Sequence, residues 1–149
     1  MNRVHSSKQS GIGLIEVLIA VLILGIGMLG IAALQTMTLR NVGSSAERTQ
    51  AVMQTYAMLD TLRAQRAAAV AGSFNTGGDF QCSSATAFGT PGTLDGWLAD
   101  IRQTVAPSAC GQVSCSAAGT CTIDVRWSEA RATGGSPTNP TRVTTVSRL

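Results

Sequence analysis

The residues of this chain that could do chemistry are few and far apart. Four cysteines, Cys82, Cys110, Cys115 and Cys121, stand at spacings of 28, 5 and 6 residues. No two of them form C-x-x-C, so a thioredoxin-like redox motif is absent. Zinc would need four soft ligands or help from histidine, and the sole histidine, His5, precedes a long apolar run. In an exported chain an even number of cysteines more simply means two disulfides. Asp95 and Asp100 are five apart, which on a helix does not place them on one face, so they read as N-terminal and surface charges. With no histidine after residue 5, Ser–His and Cys–His pairs cannot be built. "GIGMLG" (Gly25–Gly30) matches G-x-G-x-x-G, but the dinucleotide fingerprint needs a strand before it and a helix opening at the glycines. Here it lies inside an apolar run, with Glu47 at the required distance by chance. Small residues that let helices approach closely are the simpler reading. This inventory argues against an enzyme and calls for no cofactor and no metal.

One residue remains. "GIGLIEVLIAVLILGIGMLGIAAL", Gly11 to Leu34, holds a single charge, Glu16. A charge at the bilayer centre costs about 2.5–3.5 kcal/mol on insertion scales, so a lone carboxylate there needs a partner. Residues 17–34 are uncharged, enough with Ile12–Ile15 to reach across most of a bilayer as a helix. Arg3 and Lys8 precede the run and no basic residue follows closely, which orients the N-terminus to the cytoplasm and the bulk of the chain outside. A secretory signal would have a shorter apolar core with its small-residue cleavage site after it. Here the run is too long and Gly11 precedes it.

The elements that must position these residues follow from periodicity. Gln35–Ala71 has no proline and one glycine, Gly43. Val52, Tyr56, Leu59 and Leu62 recur at helical spacing among Arg48, Asp60, Arg63 and Arg66. The spacing predicts one helix from Ile12 to near Ala71, about 90 Å long, capped at Gly72 and most prone to bend at Gly43–Ser45. Residues 72–92 read as a Gly/Ser/Thr-rich loop. Leu94, Leu98, Ile101 and Val105 predict a short amphipathic helix stopped by Pro107. "CTIDVRW" alternates strictly, with Cys121, Ile123, Val125 and Trp127 on one face. "GQVSC" before the turn-like "SAAGT" completes an antiparallel hairpin. Residues 129–141 read as a loop, and "TRVTTVSRL" as a last strand. If Cys115 and Cys121 oppose each other in the hairpin, Cys82 is left for Cys110. The pairing Cys82–Cys121 with Cys110–Cys115 stays open, since sequence does not fix connectivity.

Net charge is +3 over 149 residues, but from Ile12 onward nine arginines face eight acids. A nearly neutral body without a Lys/Arg cluster offers no footprint for nucleic acid. Aromatics are few, so the soluble part can build only a modest core and leans on disulfides or on neighbouring subunits.

The junction "SGIGLIE" resembles the signal of type IV prepilins and pseudopilins: a short basic leader, a glycine, a hydrophobic residue, three more residues, then glutamate. Ile12 stands in place of the usual phenylalanine, Gly13 of the usual threonine, and Ala33 where major pilins carry a proline. The resemblance implies cleavage by a prepilin peptidase between Gly11 and Ile12, N-methylation of Ile12, and an assembly role for Glu16, which becomes the fifth residue. The new α-amino group lies at i, i+4 from Glu16 and can meet it on one helix face, or meet that of a neighbouring subunit. A carboxylate in the first turn also complements the helix dipole.

The implied organisation is a leader (1–11), a transmembrane and assembly half of a long helix (12–34), its amphipathic half (35–72) and a periplasmic globular part (73–149). The implied fold class is α+β: a long N-terminal helix packed by a small antiparallel sheet and a short accessory helix. The function so implied is that of a minor pilin, anchored in the inner membrane and then placed at the pilus tip. Its partners would be other minor pilins, the major pilin and a tip adhesin. A minor pseudopilin of type II secretion shares the same signal. A competence pseudopilin would need a basic surface, and a membrane-anchored enzyme would need catalytic residues.

Overall fold

The computed structural model describes Gly11, residues 13–129 and residues 140–149. Residues 1–10 of the expected leader, Ile12, and most of the expected loop at 129–141 lie outside the described residues. The chain divides into two compact units, Met1–Thr38 and Leu39–Leu149.

Helix α1, Leu14–Ala64, opens where the Gly13 carbonyl accepts the amides of Glu16 (3.0 Å) and Val17 (3.4 Å). It is helical without interruption through Gly43–Ser45, the expected weak point. In the first unit Leu14 to Leu34 are all exposed. In the second unit one stripe, Ala51, Thr55, Met58, Leu59 and Leu62, is buried. That spacing is the 3–4 residue repeat of a helix with one covered face.

The expected continuous helix to Ala71 is broken at Gln65, which leaves helical geometry (φ −117°, ψ 43°) and sends its amide side chain to the Gly92 carbonyl at 2.8 Å. A one-turn helix α2, Arg66–Val70, follows. The Gly72 amide bonds Ala69 O and the Ser73 amide bonds Ala68 O. These two bonds, with Gly72 at φ +85°, are a Schellman cap, a backbone turn that favours glycine.

Helix α3, Leu94–Thr104, is capped by the Thr93 hydroxyl, which accepts the Gly96 amide at 3.0 Å. Strands β1 (Cys110–Cys115), β2 (Thr120–Trp127) and β3 (Thr141–Arg148) form one antiparallel sheet in that order. The alternation in "CTIDVRW" becomes the inner face of β2, with Cys121, Ile123, Val125 and Trp127 buried. These side chains, Val113 of β1, the α1 stripe, and Trp97, Leu98 and Ile101 of α3 make one core. The fold is the expected α+β, pilin-like class: a long apolar-fronted N-terminal helix, a three-stranded antiparallel sheet and short helices.

Candidate functional site

The first unit contributes one candidate group, Glu16. It lies in the first turn of α1, where the unpaired amide ends of the helix favour negative charge. Its carboxylate is exposed and has no hydrogen-bond or ion-pair partner among the described residues. Around it the surface is purely apolar: Val17, Ala20, Val21 and Leu24 line the shallow groove it borders. Among the described residues one helix, α1, is long and apolar enough to cross a membrane by length and composition. Gly11 is described, but Ile12, the other half of the expected cleavage site and the expected methylated terminus, lies outside the described residues.

The second unit brings the cysteines together in pairs. Cys115 stands directly opposite Cys121 across the β1–β2 hairpin, and the bridge between them spans 4.0 Å from Cα to Cα. The Ser116 amide bonds Thr120 O, so the neighbouring Cys115–Cys121 pair falls in the close, non-hydrogen-bonded position of the ladder. Cys82 bridges Cys110 at a Cα separation of 4.3 Å. That bond ties the loop after α2 to the start of β1, beside a backbone exchange between Gln81 and Gly111. Asn75 clamps the same loop by accepting the Cys115 amide (2.7 Å) and donating to its carbonyl (3.2 Å). Closing the 28-residue loop stabilises by about 3–4 kcal/mol in the chain-entropy model. We expect non-reducing peptide mapping to return Cys82–Cys110 and Cys115–Cys121 peptides. A Cys110–Cys115 peptide, or alkylation without prior reduction, would stand against the pairing.

Four polar contacts had no signal in the sequence, because each joins residues more than ten positions apart. Glu129, 8% exposed, takes a bidentate pair of hydrogen bonds from Arg48, both 2.8 Å. The Arg48 bonds hold its carboxyl at about pH 2, with the Thr141 and Ser44 hydroxyls assisting and burial opposing. Glu47, noted in the sequence only for its distance from the glycines, accepts the Trp127 indole N–H at 3.1 Å. Asp124, on the outer face of β2 yet buried, is covered by Arg142 (2.8 Å) and by the Thr144 hydroxyl. Asp100, expected as a plain surface charge, accepts the Gly89 amide at 3.0 Å and so holds the 83–92 loop on α3.

Glu129 gives the body an acid sensitivity. Its folded-state pKa is depressed, so its contribution is fully present above the unfolded value near 4.5 and is lost as pH falls toward 2. The shift alone corresponds to roughly 3 kcal/mol, which the 59% exposure of Arg48 reduces to on the order of 1–2. Glu129→Gln is therefore expected to lower stability by that amount at pH 7. Urea midpoints of the two proteins should converge between pH 4.5 and 2; a gap that stays constant would place the effect elsewhere.

These residues frame a cleft of about 490 Å³ lined by Arg40, Ser44, Glu47, Ser108 and Glu129, among others. Its two carboxylates accept hydrogen bonds from Trp127 and Arg48. Among the described residues no group of three or more His, Cys, Asp or Glu could hold a metal ion.

Comparison with known proteins bears on the first unit. The prokaryotic N-terminal methylation motif matches residues 6–32, the segment that contains Gly11, Glu16 and most of the apolar run. No curated protein and no solved structure gives a match. The motif supports a type IV pilin or pseudopilin, which is a structural subunit, and it fits a chain anchored in the inner membrane by its apolar helix.

Proposed function

We propose that the protein is a minor pilin of the type IV pilus, similar to the pilus modification protein PilV. In this reading a prepilin peptidase cuts between Gly11 and Ile12, and Ile12 becomes the N-methylated terminus. The chain then enters a complex of minor pilins that primes pilus assembly and stays at the tip, beside the major pilin and a large adhesin. Residues 12–34 are the half that spans the membrane and later the filament core. Residues 35–72 lead into the periplasmic body that ends at residue 149.

The observation that carries the proposal is the position of Glu16. It is the single charge on an apolar surface, in the first turn of a helix, without a partner among the described residues, and it lies inside the matched methylation motif. Cleavage supplies a positive amine four residues away, on this subunit or on a neighbour. Once the carboxylate leaves water for a helix bundle, that amine satisfies it.

Glu16→Ala is expected to be cut normally and to be at least tenfold depleted from sheared pili, measured by mass spectrometry against the wild-type subunit. The estimate follows from leaving a buried charge unpaired, at about 3–5 kcal/mol. Incorporation at the wild-type level would mean that Glu16 only reaches to the headgroups. Recovery of the processed chain in a secretion pseudopilus, and not in pili, would favour the type II pseudopilin reading.

A further inference from the structure

The sheet has two edges, and they are treated differently. Along β1 the edge is closed. Gln81 exchanges both backbone hydrogen bonds with Gly111, and the Thr76 amide bonds Val113 O. Along β3 no described residue pairs with the outer edge. Unpaired edges invite pairing, and proteins commonly guard them with short strands, prolines, bulges or charges. β3 is eight residues long and paired residue for residue with β2, without a bulge or an internal proline.

The ladder fixes which groups face outward. The Leu149 amide bonds Gly119 O, so odd-numbered residues of β3 bond to β2 and even-numbered ones turn their N–H and C=O to the free edge. Arg142, Thr144, Val146 and Arg148 therefore present both their backbone groups to that edge and their side chains on one exposed face. On the same face Arg126 of β2 stands opposite Arg142, a like-charge pair that ordinarily weakens a sheet. Phe80 lies beneath both guanidinium groups, 4.2 Å from Arg126 and 5.3 Å from Arg142. Asp124 serves Arg142, while Arg126 and Arg148 have no carboxylate partner among the described residues.

Two arginines at the ends of "RVTTVSR" also decide what can add to the edge. A second copy aligned antiparallel about Thr145 would set Arg142 against Arg148 at both ends. A parallel copy in register would set each arginine against itself. Both pairings oppose like charges. In these two full-length registers the edge is guarded against its own kind, and it is complementary to a strand with acids at both ends. We propose that β3 is a docking edge for an extended acidic segment of a partner protein, which adds as a fourth strand. Carboxylates six residues apart meet Arg142 and Arg148, and β-branched or small residues between them cover the exposed Val146 and Thr144. Backbone bonds give affinity in this mode and the side chains give selection. The proposal does not depend on which pilus or secretion system the chain serves.

The test uses the full chain in detergent and two seven-residue peptides of alternating threonine and valine, one ended by glutamate at both positions and the other by lysine. Fluorescence anisotropy should show the acidic peptide binding about tenfold tighter, as expected for two charge pairs changed from repulsive to attractive. Val146→Pro removes an outward N–H that β2 does not use, so it should weaken binding about tenfold with the thermal midpoint unchanged. Arg148→Glu should shift preference toward the lysine peptide. Equal binding of both peptides, binding of neither, or indifference to Val146→Pro would overturn the proposal. So would a concentration-dependent dimer of the chain that Val146→Pro abolishes, since it would put a second copy on the edge.

Discussion

Gly11→Trp is expected to leave the chain uncut, with residues 1–11 still attached, where the proposed processing removes them from the wild-type protein. The argument rests on what the substitution does not do. A Cβ built at Gly11 meets nothing within 4 Å among the described residues, which offer no resistance to a side chain there. Gly11 also precedes α1. Loss of processing would therefore report recognition by the proposed peptidase, since close approach of a backbone to an enzyme site favours a residue without a side chain. Intact-mass measurement of membrane extracts distinguishes the precursor from a chain beginning at a methylated Ile12. Removal of residues 1–11 from Gly11→Trp at the wild-type rate would place the cut elsewhere. Gly11→Ala should lie between the two, because one methyl group intrudes far less than an indole.

How much of this was legible in the sequence depends on the range over which each feature is encoded. The apolar run and the glutamate spacing are local, and they point to the same segment that the methylation motif matches. The β2 face is also local: strict alternation from Cys121 to Trp127 dictates which side chains turn inward. The hairpin followed from a turn between two short β-prone runs, and it set Cys115 opposite Cys121.

What the sequence did not disclose is pairing across distance. Arg48 and Glu129 are 81 positions apart, and neither carries a mark that singles out the other. The break at Gln65 occurs in a stretch of good helix formers, where propensity favours continuation; a side-chain bond to Gly92 accompanies the turn that redirects the chain. Asp124 follows the polar half of the alternation yet is buried, because Arg142 and Thr144 close over it. Trp97 was masked by the leucine and isoleucine spacing of its own helix. It sits one residue before Leu98 and widens the buried face of α3 beyond the stripe that the spacing predicts.

Trp97 is where the largest loss of stability is expected. It is 6% exposed and donates its indole N–H to Gln54 O of α1 at 2.9 Å, so one side chain joins α3 to the long helix. Its other contact is with β1. A Cβ placed on Gly111 would lie 2.3 Å from Cζ3 and 2.5 Å from Cη2 of the indole, inside any real contact distance. Gly111 is thus the hollow in the sheet that admits the ring. Trp97→Ala should cost about 3–5 kcal/mol, the range for emptying a buried aromatic site, out of a total of roughly 5–15 for a domain of this kind. Gly111→Ala should cost about 1–3 kcal/mol, because the ring is rigid and held at its far side by Gln54. The two effects must not add. With the indole gone, the Gly111 methyl next meets Leu98 Cδ2, at 3.0 Å, which can swing into the emptied site, and alanine also restricts the unfolded chain more than glycine. In the Trp97→Ala background, Gly111→Ala should therefore be neutral or mildly stabilising, a coupling of about 1–3 kcal/mol. Urea unfolding of the four proteins, followed by far-ultraviolet circular dichroism, measures the cycle. An equal cost for Gly111→Ala in both backgrounds would show that the ring does not occupy the hollow.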